Sequence, residues 1–203
     1  MARYTGPKDR INRRYGISLF GPSKALDRRN FPPGQHGIRA GRKKKSDFAI
    51  ALGEKQKLKY MYGVLEKKFR AYYEEAARRR GVTGDILLQL LETRLDNVCF
   101  RLGFGNTRDA ARQLVNHGHV LVNGAKVDVA SYVVKPGDKI KIAAKTSSQQ
   151  LALRFIDLTS GTPLKDWLTL DTDNLEGSVL RLPEVGDIQP IANVQKVVEL
   201  YSR

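Results

Sequence analysis

The chain has 203 residues, 41% of them hydrophobic, with a formal net charge of +15 and an isoelectric point near 10.0. That length allows one or two domains with small cores. No run of about eighteen apolar residues occurs, which argues against a bilayer-spanning helix, and Cys99 as the single cysteine excludes a disulfide framework or a cysteine zinc site.

The charge is unevenly placed. Residues 1–80 hold 22 lysines and arginines against 7 acids, and residues 81–203 hold 14 of each. A one-sided basic excess points to a polyanion, and nucleic acid fits better than an acidic membrane surface. The start, Met1-Ala2-Arg3-Tyr4, lacks the apolar core of a signal peptide. A reducing, cytoplasmic setting is expected.

Residues 1–45 read as an irregular basic arm. Arg10, Arg13 and Arg14 cluster, Pro32-Pro33-Gly34 breaks regular structure, and Arg42-Lys43-Lys44-Lys45 follows. Such a segment is expected to order on its partner. From Phe48 to Arg80 the pattern is helical. Leu58, Met61, Tyr62, Leu65, Phe69, Tyr72, Tyr73 and Ala76 form one apolar stripe, with Gly63 marking a kink or break. Lys55, Lys57 and Lys59 are candidate phosphate contacts beside it. The arginines at 78–80 suit the negative pole of a helix.

Thr83 or Asp85 caps the next helical pattern, which runs on through Leu91, Leu95, Val98, Cys99 and Leu102 as one helix or two. Thr107 caps a shorter helix with Ala110, Ala111, Leu114 and Val115 inward. On it Arg108 and Arg112, four apart, are expected to share an outward face. Gly118 stops the helix, and Asn123-Gly124 is a strong hairpin signal. Val127 and Val129 continue a strand. Lys135-Pro136-Gly137-Asp138 makes a turn, and Lys139 to Ile142 alternates as an edge strand. A polar stretch, Lys145 to Gln150, leads to a C-terminal portion with Trp167 and Leu168 in its core, a strand at 179–182 and a helix at 194–201. Gln113, His117, His119, Asn123 and Lys126 complete the candidate contacts around the helix end and hairpin, and His36 joins those of the arm.

No catalytic spacing stands out. His117 and His119 lack further metal ligands nearby, and Gly103 and Gly105 lack the third glycine of a dinucleotide fingerprint. Asp96 is expected to orient Arg101 rather than to do acid–base work.

The stretch Arg94-Leu95-Asp96-Asn97, Arg101-Leu102-Gly103-Phe104 and 107–124 resembles the small RNA-binding module named after ribosomal small-subunit protein four. Arg29-Asn30-Phe31-Pro32-Pro33-Gly34-Gln35-His36-Gly37, Leu52-Gly53-Glu54-Lys55-Gln56-Lys57 and Tyr201-Ser202-Arg203 extend the resemblance to the bacterial and organellar family of that ribosomal protein. The resemblance implies an α+β fold: a basic arm (1–45), a helical domain (46–92), the inserted RNA-binding module (93–157), and a C-terminal segment (158–203) that completes the helical domain. It implies a primary binder of small-subunit ribosomal RNA that clamps a multi-helix junction in the 5′ domain and nucleates assembly. Decoding accuracy through small-subunit protein five, and a place on the messenger path, follow from it too. The ribosome in question would be bacterial, or that of a plastid or mitochondrion. Many members carry a four-cysteine zinc knuckle in the first forty residues; this chain has no cysteine there, so neither metal nor other cofactor is expected. No membrane, no small-molecule substrate and no enzymatic activity are implied. Two rivals are an RNA-modifying enzyme carrying the same module and a helix-turn-helix DNA regulator.

Overall fold

The structure is a computed structural model describing residues 3–42, 44–188 and 190–202. They fall into two packed units, 1–84 with 190–203, and 85–189.

In the first unit the arm is not irregular. Helix α1 (Lys8–Tyr15) ends at Gly16, whose φ of 67° is the left-handed cap. Buried Asn12 accepts from the Leu19 N–H at 3.0 Å and so folds the following loop back. Ser23 caps α2 (Lys24–Arg28) by accepting from Leu26 N–H, and donates to Asp9 at 2.7 Å. Arg13 Nε donates to the carbonyls of Arg29 and Phe31, each at 3.2 Å, and its guanidinium lies over the Phe31 ring. A short 3-10 helix spans Gly37–Arg42. Side-chain-to-backbone bonds thus order a segment with too little apolar surface for a core.

The long helical pattern is two helices, α3 (Asp47–Met61) and α4 (Glu66–Arg78), broken where Gly63 takes a φ of 61°. Leu58, Met61, Tyr62, Phe69, Tyr72 and Ala76 are buried as the stripe requires, but Leu65 is exposed at the break. The last helix of the chain, α10 (Val194–Ser202), packs on α3. Its Tyr201 stacks on Tyr73 at 4.7 Å and donates to Glu66 at 2.7 Å.

The second unit begins within α5 (Thr83–Glu92), at Asp85, and continues with α6 (Leu95–Arg101), two helices rather than one. Between them Thr93 and Arg94 turn into a strand-like contact with 133–134. The N–H groups of Leu95 and Asp96, orphans at a helix start, donate to the carbonyls of Tyr132 and Ala130. The expected strand over Val127 and Val129 does not form: Val127 N–H still donates to the Val120 carbonyl, but Val129 is exposed and its carbonyl accepts from Tyr132 N–H in a turn. Thr107 caps α7 (Arg108–Asn116), accepting from Ala110 N–H at 3.1 Å.

Among the described residues, strands β1 (Val120–Val122), β2 (Ala125–Lys126), β3 (Lys139–Ile142), β4 (Leu168–Asp171) and β5 (Glu176–Val179) form one antiparallel sheet in the order β2-β1-β3-β5-β4. Asn123 and Gly124, with φ of 51° and 82°, make the hairpin turn. β3 is therefore internal, not an edge: it pairs with β1 and β5, while Lys139 and Lys141 still face solvent. The polar stretch after it is the first part of α8 (Thr146–Thr159), with Ala152 buried and Leu151 and Ile156 packed on the core. A short helix α9 spans Val185–Ile188.

The C-terminal portion also departs from expectation. Trp167, Leu168, Leu175 and Val179 join Leu102, Leu114 and Ile140 in one core. Gly177 lets β5 approach α6, since a Cβ there would lie 2.6 Å from the Leu102 methyls. β4 and β5 therefore extend the sheet, the described residues up to 188 belong to the second unit, and of the expected C-terminal segment only those from 190 on belong to the helical unit.

Candidate nucleic-acid interface

Three helix ends meet where α5 turns into α6 and α7 packs on α6. Their charged side chains form two adjoining sets of ion pairs and hydrogen bonds, largely buried. Glu92 accepts from Arg101 Nη2 at 2.6 Å and Nε at 3.0 Å, and from Asn97 Nδ2 at 2.6 Å. Asn97 Oδ1 accepts in turn from Arg108 Nε at 2.8 Å. Asp96 accepts from Arg94 Nε at 3.0 Å, and Arg112 Nη1 lies 4.0 Å from it. The Arg108 guanidinium sits 4.5 Å above the Phe100 ring. Arg94, Arg101, Arg108 and Arg112 thus gather around Glu92 and Asp96, with Asp109 next to Arg108 on α7. Asp96 orients Arg94, and Glu92 is the carboxylate that holds Arg101, not Asp96 as the sequence suggested.

Arg112 is not outward: only 5% of it is exposed. It lies next to Ala111 and three residues from Val115, so on the helical wheel it borders the apolar face. Arg108 is half-buried, while Gln113 and His117 are exposed.

The far end of α7 carries the open basic groups. His117 ends the helix and Gly118, at φ 70°, turns the chain into β1. The Lys126 side chain lies across that glycine, so that a Cβ on Gly118 would collide with Lys126 Cε. His119 Nδ1 and Ser148 Oγ share a hydrogen bond of 2.8 Å, and Ser148 is buried in the first turn of α8. Burial first, then the charges of His117, Lys145 and Lys126, hold the His119 imidazole below its ordinary titration range. Lys145, which the sequence did not single out as a contact, belongs to this group; its only signal was its place before a helix read as linker. Asn123 is exposed, but its side chain donates to Asp138 at 2.8 Å and accepts from Lys139 N–H at 2.9 Å. Its first role is to bind the hairpin to the 135–138 turn.

In the helical unit Arg10, Arg14, His36, Lys44 and Lys45 are exposed and Arg13 is half-buried in its backbone contacts. Lys43 and the Arg42 side chain lie outside the described residues. Lys55 departs from expectation: it is 7% exposed and donates to Glu66 at 2.7 Å. Lys57 pairs with Glu54 at 2.7 Å and Lys59 with Glu66 at 3.5 Å. Lys55 and Lys59 are paired because α4 brings Glu66 over α3, and Lys57 is paired within α3 itself.

Cys99 is fully buried, and burial with nearby Asp96 pushes its thiol far up, so it is no thiolate nucleophile. Among the described residues no group of three His, Cys, Asp or Glu could hold a metal ion, and no helix is long and apolar enough to cross a membrane.

A basic helical unit and a helix–helix–hairpin module with clustered cations define a nucleic-acid-binding protein class. The sequence matches the family described as "Ribosomal protein S4/S9 N-terminal domain" over residues 3–92 and the "S4 domain" over residues 93–140. It is 63% identical over 203 residues to "Small ribosomal subunit protein uS4" of Akkermansia muciniphila, and 49% identical to that of Opitutus terrae, covering all of both proteins. Against the Thermus thermophilus protein of the same name the identity is 46% over 210 residues, again end to end. The chain belongs to the family of small ribosomal subunit protein uS4.

Proposed function

We propose that this chain is a structural constituent of the small ribosomal subunit and binds small-subunit ribosomal RNA. The observation that carries the reading is family membership along the full length of both chains. The basic surfaces on α1, on the arm and at the end of α7 are what a phosphate-binding protein of that kind needs. Lysine and arginine displace counterions from the RNA backbone, so affinity falls steeply with salt. RNA shape supplies the specificity, because the deep major groove of an RNA helix resists side-chain readout.

The finer reading is that the chain clamps a multi-helix junction of the 5′ domain early in assembly, touches small-subunit protein five and influences decoding accuracy. Its contacts would be Arg10, Arg14, His36, Lys44 and Lys45 on the first unit and Gln113, His117, His119 and Lys126 on the second, with Arg108 at the rim of the charged corner. It works wherever its ribosome does, in the bacterial cytoplasm or an organelle. The role is non-enzymatic. The test is footprinting of a 5′-domain ribosomal RNA transcript beside a duplex DNA competitor. Protection of a junction in the RNA, not displaced by DNA, is expected. DNA binding of equal strength would favour the regulator reading.

A further inference from the structure

The geometry points to a proton-coupled phosphate site at the end of α7, in which His119 gains a proton when RNA backbone is seated. This rests on the reading that the module binds RNA, and it adds a regulation of that site by pH.

The groups come from four places in the second unit. His117 ends α7, with its ring centroid 6.0 Å from that of His119. Lys126 reaches from β2 across Gly118. Lys145 stands just before α8, and the first turn of α8 has no acidic residue to offset its positive pole. The charged groups that press on His119 are thus His117, Lys145 and Lys126, all cationic when protonated. Burial first, and then these charges, favour a neutral imidazole in the free chain.

Ser148 makes the switch possible. Its hydroxyl is a donor and an acceptor in one. In the neutral tautomer that carries its proton on Nε2, Ser148 Oγ–H donates to His119 Nδ1. With His119 protonated, the hydroxyl rotates and Nδ1–H donates to Oγ. The ring keeps its anchor at 2.8 Å in either state, and Nε2–H remains a donor away from the serine. A phosphate drawn in by Lys126, Lys145 and His117 supplies the opposite charge that the free site lacks. It neutralises the repulsion and raises the His119 pKa. Up to one proton is then taken from solvent for each complex formed, and binding strengthens as pH falls toward the ordinary histidine range.

His36 is the only other histidine besides His117 and His119, so the protons can be assigned by substitution. The full chain is titrated into a 5′-domain ribosomal RNA transcript by calorimetry, at pH 7 and in two buffers of different ionisation enthalpy. Proton uptake is compared for the unaltered chain, His119→Gln, which can still bond Ser148, and His36→Gln. Uptake by the RNA itself is common to all three and cancels. The expected result is that His119→Gln removes roughly half of one proton at pH 7 while His36→Gln removes none. Between pH 8 and pH 6 the unaltered chain should gain roughly 5–10-fold more affinity than His119→Gln. Equal uptake by the unaltered chain and His119→Gln would overturn the proposal. So would a His119 ring resonance, followed by NMR in the unaltered chain, whose pKa does not rise when RNA is added; that measurement stands even if the variant folds poorly. Failure of the underlying reading looks different: Lys126→Ala with Lys145→Ala would leave both affinity and salt dependence unchanged at pH 8, where His119 is neutral.

Discussion

Arg112 shows how one side chain can reverse an expectation about a surface. Buried at 5% exposure with Asp96 nearby, it serves the fold. Arg112→Ala should therefore lower stability by roughly 1–3 kcal/mol, because a packing group is removed and a carboxylate keeps one less cation. A thermal melt of the single variant checks this, and a change under about 0.5 kcal/mol would mean the residue is effectively at the surface. Neither this substitution nor the pair Arg108→Ala with Arg112→Ala cleanly probes RNA binding, because both disturb the charged corner. Leu114→Ala, at a position 1% exposed, should cost roughly 2–5 kcal/mol by leaving a cavity.

At the scale of elements, one carboxylate adds polar contacts to the packing of the last helix on the helical unit. Glu66 on α4 accepts from Lys55 of α3 and from the Tyr201 hydroxyl of α10, each at 2.7 Å. Burial would raise the Glu66 pKa, but the Lys55 and Tyr201 hydrogen bonds and the Lys55 and Lys59 charges outweigh it and hold it below its ordinary 4.5. Burial, then the same carboxylate, raises the Tyr201 phenol. The folded Glu66 thus binds its proton less readily than the unfolded one. Its contribution is fully present above about pH 4.5 and is lost as pH falls through the lower folded value. Glu66→Gln should destabilise by about 1–2 kcal/mol at pH 7, a figure reduced because 44% of the Glu66 side chain is exposed. Melts from pH 7 to pH 3 should show the gap between variant and unaltered chain closing in acid; a constant gap would contradict the role. Tyr201→Phe keeps the stacking on Tyr73 and should cost roughly 1 kcal/mol for the hydroxyl bond alone.

Across the whole molecule, charge is concentrated in the first 80 residues. If RNA binding is mainly counterion release, Arg10→Ala with Arg14→Ala should flatten the plot of log affinity against log salt by roughly 0.7–0.9 for each phosphate no longer neutralised. Both side chains are exposed on α1, so stability should stay within about 0.5 kcal/mol. Filter binding at several salt concentrations reads the slope, and an unchanged slope would remove α1 from the interface.

The features legible in the sequence were local and periodic. The Thr107 cap, the Gly118 stop, the Asn123-Gly124 turn, the break at Gly63 and the buried stripe of α3 and α4 all rest on signals a few residues apart. The basic bias and the family motifs were legible the same way. Which cations remain for a partner emerged only from the folded chain. Lys55 meets Glu66 from eleven residues away, and Tyr201 meets the same carboxylate from 135 away. β3 is no edge because β5 lies beside it, pairing Lys141 with Glu176, and this draws β4 and β5 into the sheet of the module. His119 and Ser148 meet across 29 residues. A helix or turn is written in neighbouring residues because its hydrogen bonds close within a few positions. An ion pair or a strand partner has no such spacing, and its identity is set only when distant segments pack together.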